Sequence, residues 1–354
     1  MVDPAPCLPP ATPSRTATAD AARRVSVLAP GRLHLGFLDP AGTLGRRFGS
    51  LGVVISGFET EVEIVAASQH EVLADTAAAE AETPRAAAIL QTLRERTGLE
   101  APLQLRLRQV LPPHAGFGSG TQLALAIGRA FAQWHERPVA TATLARWLGR
   151  GQRSGIGIVG FDQGGLLVDG GPGADGTPAP LLARLALPAA WRLVVVTDAT
   201  CVGLSGAAER RAIAALAPLP RAAAADLCHQ VLMQVLPGAA GDDFAAFAAG
   251  INRIQQVLGD HFAPAQDGSR FTSVAVARAL QWIAQASQAA AAIGQSSWGP
   301  TGFAILPSQA AAEALVAAAR AAGAIDDTVL ALRIVSARNH GATVACTAPS
   351  TSSA

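Results

Sequence analysis

From Val25 the chain alternates apolar and polar positions, the period of a half-buried strand, until Pro30-Gly31, which is expected to turn it. Further strands are predicted over 53–55 and 60–66. Residues 84–96 carry helical spacing, and 103–110 alternate leucine with Gln or Arg as a half-buried strand does. Helices are predicted over 121–134 and 141–148, each bordered by a Gly-rich turn, before a strand at 164–169. A Pro/Gly/Ala-rich stretch over 170–180 reads as an exposed loop. The pattern then restarts: a buried strand at 193–196, a helix at 206–216, and a helical region over 223–258 broken at Pro237-Gly238. A long helix is predicted over 274–293, ending at Gly294. A strand at 303–306, a helix at 310–322 and strands at 330–335 and 342–345 complete the series. Strands and helices are mixed rather than strictly alternating, which indicates an α+β fold in two domains, 25–185 and 186–346. Residues 1–24 mix Pro, Ala, Thr and Ser without an apolar run and are expected to be a disordered leader, with a short tail over 347–354.

The chain has 354 residues, enough for a real core in each domain. Its net charge of +1 gives no field for nucleic acid or an acidic membrane, and no segment is long and apolar enough to span a bilayer. Four separated cysteines with no Cys-x-x-Cys pair argue against a zinc or disulfide framework, so a reducing, cytoplasmic location is expected. All 27 basic side chains other than histidine are arginine. Anions must therefore be held by arginine or by backbone N–H groups, and no lysine is available as a base or Schiff-base former.

Four segments carry candidate chemistry. Residues 112–122, from Pro112 through Gly116-Phe117-Gly118-Ser119-Gly120 to Gln122, join a strand to a helix through three alternate glycines. They present N–H groups at the positive end of a helix dipole, an anion site, or else form a tight turn capped by Ser119 or Thr121. Residues 150–165 place Arg150, Arg153 and Ser154 ahead of a glycine-dense run with Asp162 in its middle, as a shaped loop beside an anion would. Arg32, His34, Arg46 and Arg47 concentrate positive charge near an apolar strand. His34 alone reads more readily as a satisfied core histidine than as a catalyst. In the fourth, 294–303, Trp298 reads equally as a ring-stacking platform or a buried anchor.

Together, Pro30-Gly31-Arg32-Leu33-His34-Leu35-Gly36, the Gly116–Ser119 turn and Gly299-Pro300-Thr301-Gly302 resemble the three ordered motifs of the galactokinase, homoserine kinase, mevalonate kinase and phosphomevalonate kinase (GHMP) superfamily. The resemblance covers most of the chain from Val25 to Ala345. It implies an N-terminal domain like that of a small-subunit ribosomal protein and a ferredoxin-like C-terminal domain. In the kinases the middle loop wraps nucleotide phosphates. Many of them carry Ser-Gly-x-Asp, the aspartate serving as base, whereas Ser154-Gly155-Ile156-Gly157 ends in glycine, which cannot accept a proton.

Arg153 to Gly157, Phe161, Gly164-Gly165, Asp169-Gly170-Gly171 and Ser296 to Gly302 resemble one branch, the β-ribofuranosylaminobenzene 5′-phosphate synthases of methanopterin biosynthesis. That resemblance implies condensation of phosphoribosyl pyrophosphate with 4-aminobenzoate, releasing CO₂ and pyrophosphate, with Mg²⁺ and no organic cofactor. The phosphates are then expected on the N–H groups of Gly116, Gly118, Ser119 and Gly120, assisted by Arg150, Arg153 and Ser154. Asp162 and Asp198 are the expected metal ligands. Arg32 or Arg46 would orient the carboxylate, His34 or His114 would stabilise charge or move a proton, and Trp298 would meet the ring. The competing classes are an ATP-dependent small-molecule kinase and an RNA-binding module, the latter disfavoured by near-zero charge. A homodimer is the default assembly.

Overall fold

The computed structural model describes residues 23–203, 206–288 and 290–347. The expected leader lies outside them except for Arg23 and Arg24, and the expected tail except for Thr347.

Two long antiparallel strands form the spine, β1 (Arg24–Asp39) and β2 (Phe48–Ala66). The predicted turn at Pro30-Gly31 does not occur, and the pieces expected over 53–55 and 60–66 are one strand. Register shifts between Pro30 and Arg32, and between His34 and Gly36, absorb the irregularity as bulges. Proline is tolerated there because a bulge leaves ladder positions unpaired. Gly36 adopts φ 144°, and a Cβ on it would collide with Leu258. The two bulges are what aim Arg32 and His34.

β2 also pairs with β4 (Leu103–Gln109) and β5 (Leu166–Asp169). β3 (Glu71–Ala74) lies parallel to β4, and β6 (Leu181–Leu185) pairs with β5. β3 and β6 were not expected: both are short and carry no fully buried position to mark them. The final strand, β11 (Thr343–Thr347), was expected with the second domain but adds to the first sheet, Arg24 facing Thr347 and Leu28 facing Thr343. Helices α1 (Ala77–Glu80), α2 (Thr83–Thr97), α3 (Ser119–Trp134) and α4 (Thr141–Trp147) accompany this sheet. Leu123, Ile127 and Phe131 of α3 pack with Val27, Ile64 and Leu105 of the strands. A glycine-dense stretch expected as a turn is instead helix α5 (Ile156–Gln163). Its start is held by a remote carboxylate: Asp169 Oδ2 accepts from the N–H groups of Gly155 (2.8 Å) and Ile156 (3.2 Å).

The second sheet is antiparallel, ordered β10 (Leu330–Val335), β7 (Arg192–Asp198), β9 (Thr301–Leu306), β8 (Ala292–Gln295). Alternation sorts its faces. Leu193, Val195, Phe303 and Ile305 point into a core shared with Leu33, Leu35 and Leu51 of the first sheet and with α9 (Phe244–Phe262). Val194, Val196, Ala304 and Leu306 point to the opposite side, under α10 (Val274–Ala286) and α11 (Gln309–Ala321). The helix expected over 274–293 stops at Ala286. Gln288 takes φ 52°, and Ala292 and Gly294 pair with Ile305 and Phe303 instead. Alanine has high helix propensity but little side chain to commit it, so strand pairing wins. Helices α6 (Gly206–Ala215), α7 (Arg221–Gln230) and α8 (Leu236–Ala240) precede α9, with a π-helical turn at Val231–Val235. Among the described residues, no helix is long and apolar enough to cross a membrane.

Candidate active site

The Gly-rich loop before α3 meets β1 and the turn after β8 at one point. Gly116 has φ 94°, and a Cβ there would stand 2.5 Å from the carbonyl oxygen of Ser296. Only glycine fits. The Ser296 hydroxyl donates to the Gly116 carbonyl (2.7 Å) and accepts from the His34 N–H (2.9 Å). Gly299 lies so close to Ala115 that a Cβ would approach its carbonyl carbon to 2.5 Å. The three expected motifs are thus fastened together by a serine that sequence reading quoted but assigned no role.

Gly118 caps α3 in the left-handed conformation (φ 77°), and no side chain caps the helix. Capping by Ser119 or Thr121 is therefore not what the turn does; the N–H groups of Thr121 (3.0 Å) and Gln122 (3.1 Å) donate to the Gly118 carbonyl, so those of Ser119 and Gly120 stand ahead of the helix's first bonds. Arginines surround them. The Arg32 Nη1 group donates to the Gly116 carbonyl (2.6 Å), and a Cβ on Gly118 would touch that guanidinium. A Cβ on Gly120 would stand 3.3 Å from Arg150 Nη1 and 3.9 Å from Arg85 Nη1. Burial, then the charge of Arg85, lowers the pKa of Arg150, and its Nε is buried without a partner. Two cations beside one helix N-terminus are mutually unfavourable until an anion joins them. Sequence reading missed Arg85, which stands far upstream at the start of α2; no local signal marks it.

His34 is 3% exposed, its ring 4.5 Å from Phe37 in an edge-to-face contact. Burial, then the charges of Arg32 and Arg153, holds its pKa well below the ordinary value, so the ring is neutral at pH 7. Trp298 is 4% exposed and packs edge-on against Phe262 at 4.9 Å, and it lines a pocket together with His34.

Other expected site residues are engaged elsewhere. Arg46 donates to the Gly171 carbonyl (Nη2, 3.0 Å). Ser154 donates to Asp169 (3.1 Å), whose carboxyl is raised by burial against four hydrogen bonds that lower it. His114 is exposed, with φ 56°. Asp162 accepts from the Thr141 hydroxyl at 2.6 Å and lies 3.8 Å from Arg129. Asp198 Oδ1 accepts from the Thr200 N–H and hydroxyl, and its Oδ2 from Ser273 at 2.6 Å. Burial would raise its pKa, but these bonds hold the carboxyl below the usual range. Asp198, with both oxygens already accepting, does not fit a magnesium ion, whereas Asp162 accepts only through Oδ1; among the described residues no three His, Cys, Asp or Glu side chains gather as a metal group.

Gly157, standing where many kinases have their base, offers only its carbonyl, which accepts from Gln122 Nε2 (2.9 Å). The models for the N-terminal domain of GHMP kinases and for their C-terminal domain match residues 84–165 and 235–325. A homoserine kinase from Cytophaga hutchinsonii superposes with a TM-score of 0.63 at 15% identity, covering 94% of this chain and all of that one. The fold is that of the GHMP kinases. A beta-ribofuranosylphenol 5'-phosphate synthase of Archaeoglobus fulgidus is 32% identical over 293 residues, covering 79% of this chain and 87% of the relative. One of Methanothermobacter thermautotrophicus is 30% identical, covering 64% and 74%. The chain belongs to this family of synthases.

Proposed function

We propose that the chain is a decarboxylating phosphoribosyltransferase of tetrahydromethanopterin biosynthesis, joining C1 of phosphoribosyl pyrophosphate to the carboxylate-bearing ring carbon of 4-aminobenzoate. The observation that carries this reading is the gathering of Arg32, Arg85 and Arg150 around the start of α3, which no side chain caps, with glycine at position 157. The C1–O bond breaks and pyrophosphate leaves with the electron pair. Ring electrons then form the C1–C bond. The ring–carboxylate bond breaks next, its pair restores aromaticity, and CO₂ departs. The balance requires no net proton transfer, so the missing aspartate costs this reaction nothing, whereas it deprives a kinase of its base. The arginines and N–H groups neutralise the leaving group where its charge develops. The dry, neutral wall at His34 keeps water from the cationic sugar.

The names of the relatives contain a phenol, which favours 4-hydroxybenzoate as a second acceptor, since a para hydroxyl also feeds electrons to the reacting carbon. The test supplies purified protein with phosphoribosyl pyrophosphate, magnesium and either acceptor labelled at its carboxyl carbon, and counts released CO₂. Release that needs both substrates is the expected result. No release from folded protein with either acceptor, alongside ATP consumption driven by a small alcohol, would return the protein to the kinases.

A further inference from the structure

Asp169-Gly170-Gly171 belongs to the pattern that marks the synthase branch, yet no step of the proposed reaction uses it. Asp169 ends β5 and is 1% exposed. Its Oδ2 accepts from the N–H groups of Gly155 (2.8 Å) and Ile156 (3.2 Å) and from the Ser154 hydroxyl (3.1 Å), and its Oδ1 accepts from the Gly171 N–H (2.8 Å). A carboxylate is costly to bury unless its oxygens are filled, and these are.

Capping a helix does not require so remote a group. The cap position of α5 is Gly155, which has no side chain, and a Ser, Thr or Asp there would satisfy the same N–H groups locally. A local cap fixes a helix start only to itself. A cap brought from a strand 14 positions away fixes that start to the sheet.

The start of α5 is in turn fastened to the start of α3. Gln122, 1% exposed, donates from Nε2 to the Gly157 carbonyl (2.9 Å), and a Cβ on Gly157 would stand 3.4 Å from Thr121. A carbonyl only accepts, so the amide nitrogen must face it, and Gln122 Oε1 is left buried without a partner. Between Arg150 and α5 the chain turns back onto the helix: Gly151 has φ 86°, and a Cβ on it would meet Ile158 at 2.6 Å. Arg150 reaches Gly120 from this loop, and Arg153 lies further along it.

We infer that Asp169 is a positioning residue for the phosphate site: through the start of α5 and the Gln122 tie, it holds the loop of Arg150 and Arg153 in place beside the first N–H groups of α3. The inference rests on the proposed phosphate site and adds to it a residue that touches no substrate. Guanidinium and N–H groups must meet the same phosphate oxygens, and a misplacement of about 1 Å is enough to spoil that. The segment that carries the base in many kinases thus carries cations here, set in position by a carboxylate from the sheet.

The experiment uses two variants, each checked for native circular dichroism and melting temperature. Asp169→Asn keeps the shape but turns one accepting oxygen into an NH₂ group that faces a donor. Gln122→Met cuts the tie at nearly constant volume and also removes the unpartnered oxygen, so its melting temperature should hold. Calorimetry with inorganic pyrophosphate and magnesium gives Kd, and CO₂ release gives both KM values. Each variant should bind pyrophosphate about tenfold more weakly, with the phosphoribosyl pyrophosphate KM rising in step and the acceptor KM unchanged. Combined with Arg150→Ala, either change should add less than its own tenfold, because the arginine it positions is gone. A folded variant of either kind that binds pyrophosphate as the parent does reduces Asp169 to a helix cap and overturns the inference, as do losses that multiply in full in the combined variants. If Asp169→Asn does not fold, Gln122→Met decides by the same criterion. Weakened pyrophosphate binding in variants of a parent that releases no CO₂ keeps the inference and overturns the reaction. A parent that does not bind pyrophosphate overturns the phosphate site and the inference together.

Discussion

The Ser296 hydroxyl donates to the carbonyl of Gly116 across 2.7 Å, tying residues 180 positions apart. The same oxygen accepts from the His34 N–H, so one serine sets the spacing between the phosphate loop and the strand that carries Arg32 and His34. Ser296→Ala leaves a buried N–H without its acceptor, which costs roughly 1–3 kcal/mol. Stability by urea denaturation should fall by that amount, and kcat/KM by about ten- to a hundredfold as the loop loosens. Loss of stability with unchanged turnover would separate the tie from the chemistry.

Gly116 and Gly157 should respond oppositely to one added methyl group. Gly116→Ala places a Cβ against the Ser296 carbonyl at a positive φ, and soluble, active protein should not be recovered. Gly157 is helical, and its Cβ would meet Thr121 Cγ2 at 3.4 Å, an ordinary contact. Gly157→Ala should fold normally and gain up to about 1 kcal/mol of helix stability. Thermal melts of the two variants decide the matter.

Arg85 and Arg150 stand together over Gly120. Replacing either with alanine should raise the phosphoribosyl pyrophosphate KM by about ten- to a hundredfold, the worth of a charge-assisted contact to phosphate. The acceptor KM should stay fixed. Arg85→Ala should also lower the melting temperature by a few degrees, since it leaves the buried Glu82 carboxylate without its ion-pair partner. An unaltered KM in both variants would place the phosphates elsewhere.

Acid should destabilise the fold in a defined window. Burial, then the charges of Arg23, Arg137 and His70, lowers the pKa of His135 to about 4. Unfolded, the ring protonates near 6.5. Between those values the unfolded state holds the proton and the folded state does not, so stability present above pH 6.5 is lost as pH falls toward 4. One such group gives at most about 1.4 kcal/mol per pH unit, less here because solvent reaches part of the ring. His34, also neutral and buried, acts in the same direction. His135→Gln should flatten the slope measured by urea denaturation from pH 7 to 5; an identical slope in variant and parent would sink the assignment.

Residues whose environment is local were readable in the sequence. The helices near 84–97 and 119–134 follow from apolar spacing, and the Gly-rich turn before the second of them follows from its alternate glycines. Helix α5 was not readable, because its cap, Asp169, arrives from the strand beyond it. Arg85 escaped for the same reason: its neighbour Arg150 is brought beside it only by the packed fold. Asp162 and Asp198 looked available as carboxylates in a sequence, yet each already holds donors that no spacing rule reveals.

The pairing of β11 with β1 has a consequence for how the chain is made. Residues 24–28 leave the ribosome about three hundred residues before their outer neighbour at 343–347, so the first sheet waits through the synthesis of the whole second domain with one margin bare. An unpaired strand margin invites pairing with another chain. The first sheet is thus completed only after the second domain has emerged, and the strand that closes the first strand's exposed side comes from beyond that domain.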